Sequence, residues 1–111
     1  MRDDIKELED NIKRATEMVN LGKAVERLRN SPDFKEVILK GYFEREAIRL
    51  VHLKADPNMQ TPERQASIIS QMDSIGALSS HLNTILVMAD RAAQAIDADT
   101  QTMTEILEGD D

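Results

Sequence analysis

Twelve positions, namely Ile68, Met72, Ile75, Ser79, Leu82, Leu86, Ala89, Ala93, Ile96, Thr100, Met103 and Leu107, follow one another in strictly alternating steps of four and three. Ten of the twelve are apolar. A step that averages 3.5 residues keeps every one of them on one stripe of an α-helix, and five heptads of it predict coiled-coil-like packing. An unbroken helix over this stretch would be about 65–70 Å long at 1.5 Å per residue. A chain of 111 residues has too little left to surround such a helix on all sides.

A second stripe runs beside the first: Ile69, Leu78, Ile85, Met88, Ala92 and Ala95. Between residues 65 and 89 the only formally charged side chain is Asp73. Freely solvated helix faces carry more charge than that. The stretch therefore reads as covered on two faces, one by its own chain and the other by another subunit. The plainer alternative is that the rest of this chain covers both. Ile75, Leu82, Leu86, Ala89, Ala93 and Ile96 are the residues expected to carry self-association or docking to a partner.

Proline and its neighbours divide the rest of the chain. Ser31-Pro32 and Thr61-Pro62 each read as an N-cap followed by proline at the first helical position, where its missing N–H costs nothing. Asp56-Pro57 reads as a stop, because the residue before proline is pushed out of the helical region. The expected fold class is all-α. Three helical segments, about 3–29, 32–54 and 62–107, form a single helical bundle domain over 1–111 with an acidic tail at 108–111. Acids at a helix C-terminus oppose the macrodipole, so the acidic end from Glu105 to Asp111 is expected to fray unless a basic neighbour binds it.

In the first segment Ile5, Leu8, Ile12, Ala15 and Val19 form an amphipathic stripe, with Glu9–Lys13 and Asp10–Arg14 as supporting pairs. At Gly22 the stripe changes phase to Leu21, Val25 and Leu28, which predicts a bend or break near Asn20–Gly22. The second segment is apolar on more than one face (Phe34, Val37, Ile38, Tyr42, Ala47, Ile48, Leu50, Val51, Leu53), so neighbours are expected on two sides. Gly41 inside it suggests either close approach by another helix or simple tolerance of a glycine there. Gly76 suggests a close approach, or a kink. Met59 falls in a connecting loop.

Charge and chemistry narrow the function classes. The net charge is −7, unevenly spread: residues 1–54 hold 12 Lys/Arg against 11 Asp/Glu, whereas residues 55–111 hold 2 against 10. Bulk attraction to nucleic-acid phosphates is unfavourable. The basic residues Lys13, Arg14, Lys23, Arg27 and Arg29 are interleaved with acids and lack aromatics to stack bases. There is no cysteine, hence no disulfide or thiolate chemistry. The opening Met1-Arg2-Asp3-Asp4 carries no secretory pattern, and no run of about 18 apolar residues exists to span a membrane. His81 lies near Ser79 and Ser80, but neighbouring helical residues point apart and no orienting acid is evident. His52 and His81 lack the i,i+4 acids or histidines that would make a metal site. No catalytic, metal-binding or cofactor-binding residue is expected, and the chain reads as a non-enzyme.

The stretch Asn30-Ser31-Pro32-Asp33-Phe34-Lys35 through Gly41-Tyr42-Phe43-Glu44 to Leu50-Val51 resembles a segment of small all-helical proteins that tailed bacteriophages encode among their head and portal assembly genes. The resemblance covers residues 24–85 and is strongest at Pro32–Lys35 and Gly41–Glu44. It implies a virion or virion-assembly role, in the particle or the host cytoplasm, with homo-oligomers or other phage structural proteins as partners. It carries over no functional residue. An alternative expectation, from the acidic second half, is a small regulatory protein that inhibits a host nucleic-acid enzyme.

Overall fold

The computed structural model describes residues 2–109, all of them helical or in the short links between helices. Helix α1 is Arg2–Asn30, α2 is Pro32–Phe34, a π-helical segment follows at Lys35–Glu46, and α3 is Ala47–Ala55. A 3₁₀ turn at Pro57–Met59 leads into α4, Pro62–Gly109. No strand occurs among the described residues, and the three expected helical segments stand within one or two residues of their predicted ends. Helix α4 continues to Gly109, so Glu105–Gly109 do not fray as expected, while Asp110 and Asp111 of the acidic tail lie outside the described residues.

The boundaries follow from local chemistry. Ser31 is extended, and its Oγ accepts from the Phe34 amide at 3.4 Å. Thr61 Oγ1 accepts from the Arg64 amide at 3.3 Å. Both side chains occupy donors that a helix start leaves free. Asp56 is extended (φ −66°, ψ 126°), ends α3, and accepts from the Asn58 amide at 2.8 Å to open the 3₁₀ turn.

The turn is held by amides from α4 and from the turn itself. Gln65 Nε2 donates to the carbonyls of Lys54 (2.9 Å) and Met59 (2.8 Å), and Gln60 Nε2 donates to those of Lys54 and Asp56. Gln65→Ala is therefore expected to destabilise the chain by about 1–2 kcal/mol, two hydrogen bonds being lost at a half-buried site. Urea denaturation measures it, and a change below about 0.3 kcal/mol would mean the turn holds without them.

Two packing units are present: residues 1–25 with 84–111, and residues 26–83. The second contains the larger core. Leu50 of α3 and Ile68 and Ile75 of α4 are buried there, with Tyr42, Phe43, Ala47, Leu53, Met59 and Met72 packed around them. Met59, which has no periodic signal in the sequence, belongs to this core because the 3₁₀ turn folds it inward.

The π-helical segment was not expected. Its i→i+5 ladder is rare at this length, and it changes which residues share a face. Arg45 Nη1 meets Glu36 Oε1 at 3.2 Å although nine residues separate them. In an α-helix a nine-residue separation points to opposite sides, whereas one turn of four and one of five returns to the same side. Gly41 lies within this ladder. A Cβ there would stand 3.0 Å from the carbonyl oxygen of Glu36, five residues back. The close neighbour is the segment's own backbone, not another helix.

In the first unit α1 and α4 run antiparallel. Asp4 and Leu8 share a groove with Thr102 and Ile106, and Gly22 faces Ala89. The expected break at Asn20–Gly22 is absent, since α1 runs without interruption from Arg2 to Asn30, and Gly22 is buried. The stripe keeps its alternation as far as Gly22, the next step of three from Val19; past it the covered position is Val25 (4% exposed) and not Glu26, a shift of one residue, while Leu21 (47%) and Leu28 (44%) of the expected new stripe are exposed. A Cβ at Gly22 would overlap that of Ala89. Gly76, by contrast, has nothing within 4 Å and does not interrupt α4.

Candidate protein–protein interface

Along the first unit the covered positions are the seam and the residue that precedes a seam residue on each turn. Asn11 and Met18 of α1 are half-buried and Val25 is buried. Ile85, Ala92, Asp99 and Ile106 of α4 are half-buried. The residues that follow the seam on the other flank, Glu9, Thr16 and Lys23 of α1 and Asp90, Asp97 and Thr104 of α4, are all exposed. The pair is thus centred on Gly22 and Ala89 and leans to one flank. That lean explains why the late seam positions Thr100 and Leu107 are exposed while Asp99 and Ile106 are half-covered. The small residues Ala15, Gly22, Ala89, Ala92 and Ala93 let the two helices approach closely.

The six residues expected at an interface lie against the chain's own helices. Ile75 is 7% exposed in the core of the second unit. Leu82 is half-buried in the same unit, beside Phe43 and Arg29 along a groove of about 450 Å³. Ala89 faces Gly22, and Leu86, Ala93 and Ile96 are half-buried on the first unit's seam. The surface left open is the adjacent stripe. Met88 is 48% and Ile69 44% exposed, Ala95 is exposed, and Leu78, Ile85 and Ala92 are half-buried.

Other apolar side chains also face outward. Val37 is 64%, Ile48 58% and Val51 55% exposed in the second unit, and Val87 is 43% exposed in the first. The outward turn of Ile48 and Val51 follows from Ala47, Leu50 and Leu53 taking the inward face of α3.

Groups that could do chemistry are scattered. Ser79, Ser80, His81 and His52 are exposed, and no hydrogen bond joins His81 to either serine. Among the described residues no three of His, Asp and Glu come together as a metal-holding group. No described helix is long and apolar enough to cross a membrane. Of the two ion pairs among the described residues, Arg45–Glu36 is solvent-exposed and Arg49–Glu46 joins an exposed arginine to a half-buried glutamate; both are open enough to water to contribute little. No protein family, curated protein or solved structure matches this chain.

Proposed function

We propose that this chain is a non-enzymatic structural or assembly subunit that acts through helix–helix contacts with other protein chains. One observation carries the reading. Among the described residues four apolar side chains are buried, while nine large ones keep 43–64% of their surface in solvent. Single exposed apolar residues are ordinary, but rows of them on helices that bury so little of their own are the mark of surfaces completed by a neighbour. The resemblance of residues 24–85 to phage head and portal assembly products gives the setting, a tailed-phage virion or its precursor.

The inhibitory alternative rests on the acidic second half. Asp90 and Asp97 stand on the flank that follows the seam, where α1 places Lys23 one residue beyond Gly22 and Lys13 further along. That flank is of mixed sign, which is unlike an imitation of phosphate charge.

The test is quantitative mass spectrometry of mature particles and precursor capsids from a phage that carries the gene. Several copies per particle or precursor are expected. Absence from both, with the chain well expressed in the same cells, overturns the assembly role.

A further inference from the structure

The cleft between the end of α1, the π-helical segment and α4 in the second unit has an apolar floor and one cation at its edge. Phe43 and Leu82, both half-buried, line it together with Arg29, Gly76 and Ser80, around about 450 Å³. Gly76 keeps it open, since nothing stands within 4 Å of the place a Cβ would take there. No acid lines it, and Arg29 belongs to neither of the two ion pairs among the described residues. A cleft of this make-up suits an apolar side chain with a carboxylate beside it.

The chain carries such a group near the end of α4. Leu107 is 54% exposed, and so are its neighbours Glu105 and Glu108 exposed. Within four residues of Leu107 in the chain stand four acids, Glu105, Glu108, Asp110 and Asp111, and no base. None of the other large exposed apolar side chains has surroundings as acidic. No Lys or Arg follows Arg91, and carboxylates at a helix C-terminus oppose the macrodipole, so a cation brought from elsewhere is favourable there.

We propose that Leu107 of one copy of the chain enters the cleft of another, over Phe43 and Leu82, while the Glu108 carboxylate meets the Arg29 guanidinium. The inference rests on the assembly reading and names the partner of one surface.

Charge complementarity and reach select a second copy. The cleft offers an unpaired cation and no acid, and the end of α4 offers acids and no cation. Leu107 lies 25 residues beyond Leu82 on one uninterrupted helix, about 38 Å at 1.5 Å per residue, so the chain cannot seat its own Leu107 in its own cleft. A knob on one surface and a socket on another make a heterologous contact, which repeats from copy to copy and builds rings or filaments. One apolar knob and one ion pair lie at the small end of interface sizes, so free chains associate weakly and at high concentration.

The experiment is light scattering on the full chain at about 20 and about 500 µM in low salt, where the ion pair is least screened. The wild type is expected to rise above its 12.5 kDa monomer mass at the higher concentration. Arg29→Glu and Glu108→Arg each bring like charges together and are expected to weaken association about tenfold or more. Combined in one chain they exchange the two charges, and association is expected to return to within about threefold of wild type. Lys13→Glu, the same change of charge at an exposed position on neither surface, is expected to leave association unchanged. All three positions are exposed, so helical circular dichroism should be retained. A second measurement does not depend on charge. The chain has no cysteine, so Leu107→Cys can be mixed with Ser80→Cys under mild oxidation. A covalent heterodimer is expected from that mixture, and none from Leu107→Cys mixed with Val37→Cys.

A wild type that stays monomeric at both concentrations overturns the inference, as does an Arg29→Glu variant that associates as tightly as wild type. Single changes that weaken association but are not restored in the combination also overturn it, because Arg29 then meets some other acid. None of these results touches the assembly role, which stands or falls on presence in the particle.

Discussion

Leu50→Ala is expected to destabilise the second unit by about 3 kcal/mol, the middle of the range for truncating a fully buried leucine. Leu50 has no exposed surface and joins Ile68 and Ile75 in the one cluster of buried side chains that unit has. Removing its isobutyl group takes away both the transfer free energy and the contacts around the cavity it leaves. The neighbours Met59 and Met72 are flexible and can move partly into the gap, which argues against the top of the range. The control is the adjacent Val51→Ala. Val51 is 55% exposed, and its truncation is expected to cost under about 0.5 kcal/mol. Urea denaturation followed by circular dichroism measures both. Hydrogen exchange at the amides of α3 then localises the loss. Equal effects at the two positions would show that α3 packs with a different face inward.

The helix boundaries were legible because the signals that set them are local. A serine or threonine before a proline needs nothing distant to act as a cap, and Ser31 and Thr61 both do so. Asp56 stops a helix for an equally local reason. The π-helical Lys35–Glu46 was not legible, because no residue type demands an i→i+5 ladder. Its only trace was the spread of apolar residues over more than one face, which reads as easily as a helix with two neighbours. Gln65 escaped notice because its role depends on two carbonyls that fold back to it from residues 54 and 59.

The seam shows a different limit. Its period was visible from Ile68 onward, and the helix it predicts is there. Periodicity says that a stripe is covered but does not say by what. The placement of α1 and α3 puts Ile75, Ala89 and their neighbours against the same chain, and so moves the open surface one row over, to Leu21 and Met88. The shift read at Gly22 falls after it: positions 5, 8, 12, 15, 19 and 22 keep one alternation, and beyond them Val25 is buried where the alternation would place the exposed Glu26. Treating glycine as a gap in an apolar pattern hid that Gly22 is itself a seam position. A glycine on a seam position is a place where the neighbouring helix comes closest.

Gly22→Leu follows directly from that geometry and is expected to be the most damaging single change in the first unit. Even a methyl group at Gly22 would overlap the Ala89 side chain, so an isobutyl group forces the two helices apart around the crossing. Overpacking of a fitted contact costs about 1–3 kcal/mol, and the upper end applies where the obstacle is a Cβ fixed to helix backbone and cannot rotate away. Helix propensity acts in the opposite direction, since replacing glycine inside a helix gains up to about 1 kcal/mol. The net loss is expected to be about 2 kcal/mol, with Val25 and the half-buried Met18 becoming more exposed as the helices separate. The exchange of partners distinguishes this from any general effect of losing a glycine. Gly22→Ala alone is expected to destabilise in spite of its better propensity, and Ala89→Gly alone to cost about 1 kcal/mol. The combination restores one methyl group at the crossing and should return close to wild type. The coupling in that cycle is expected to exceed about 1 kcal/mol. Strictly additive changes would mean that α1 and α4 do not meet at these two residues, and the antiparallel register of the first unit would have to be redrawn.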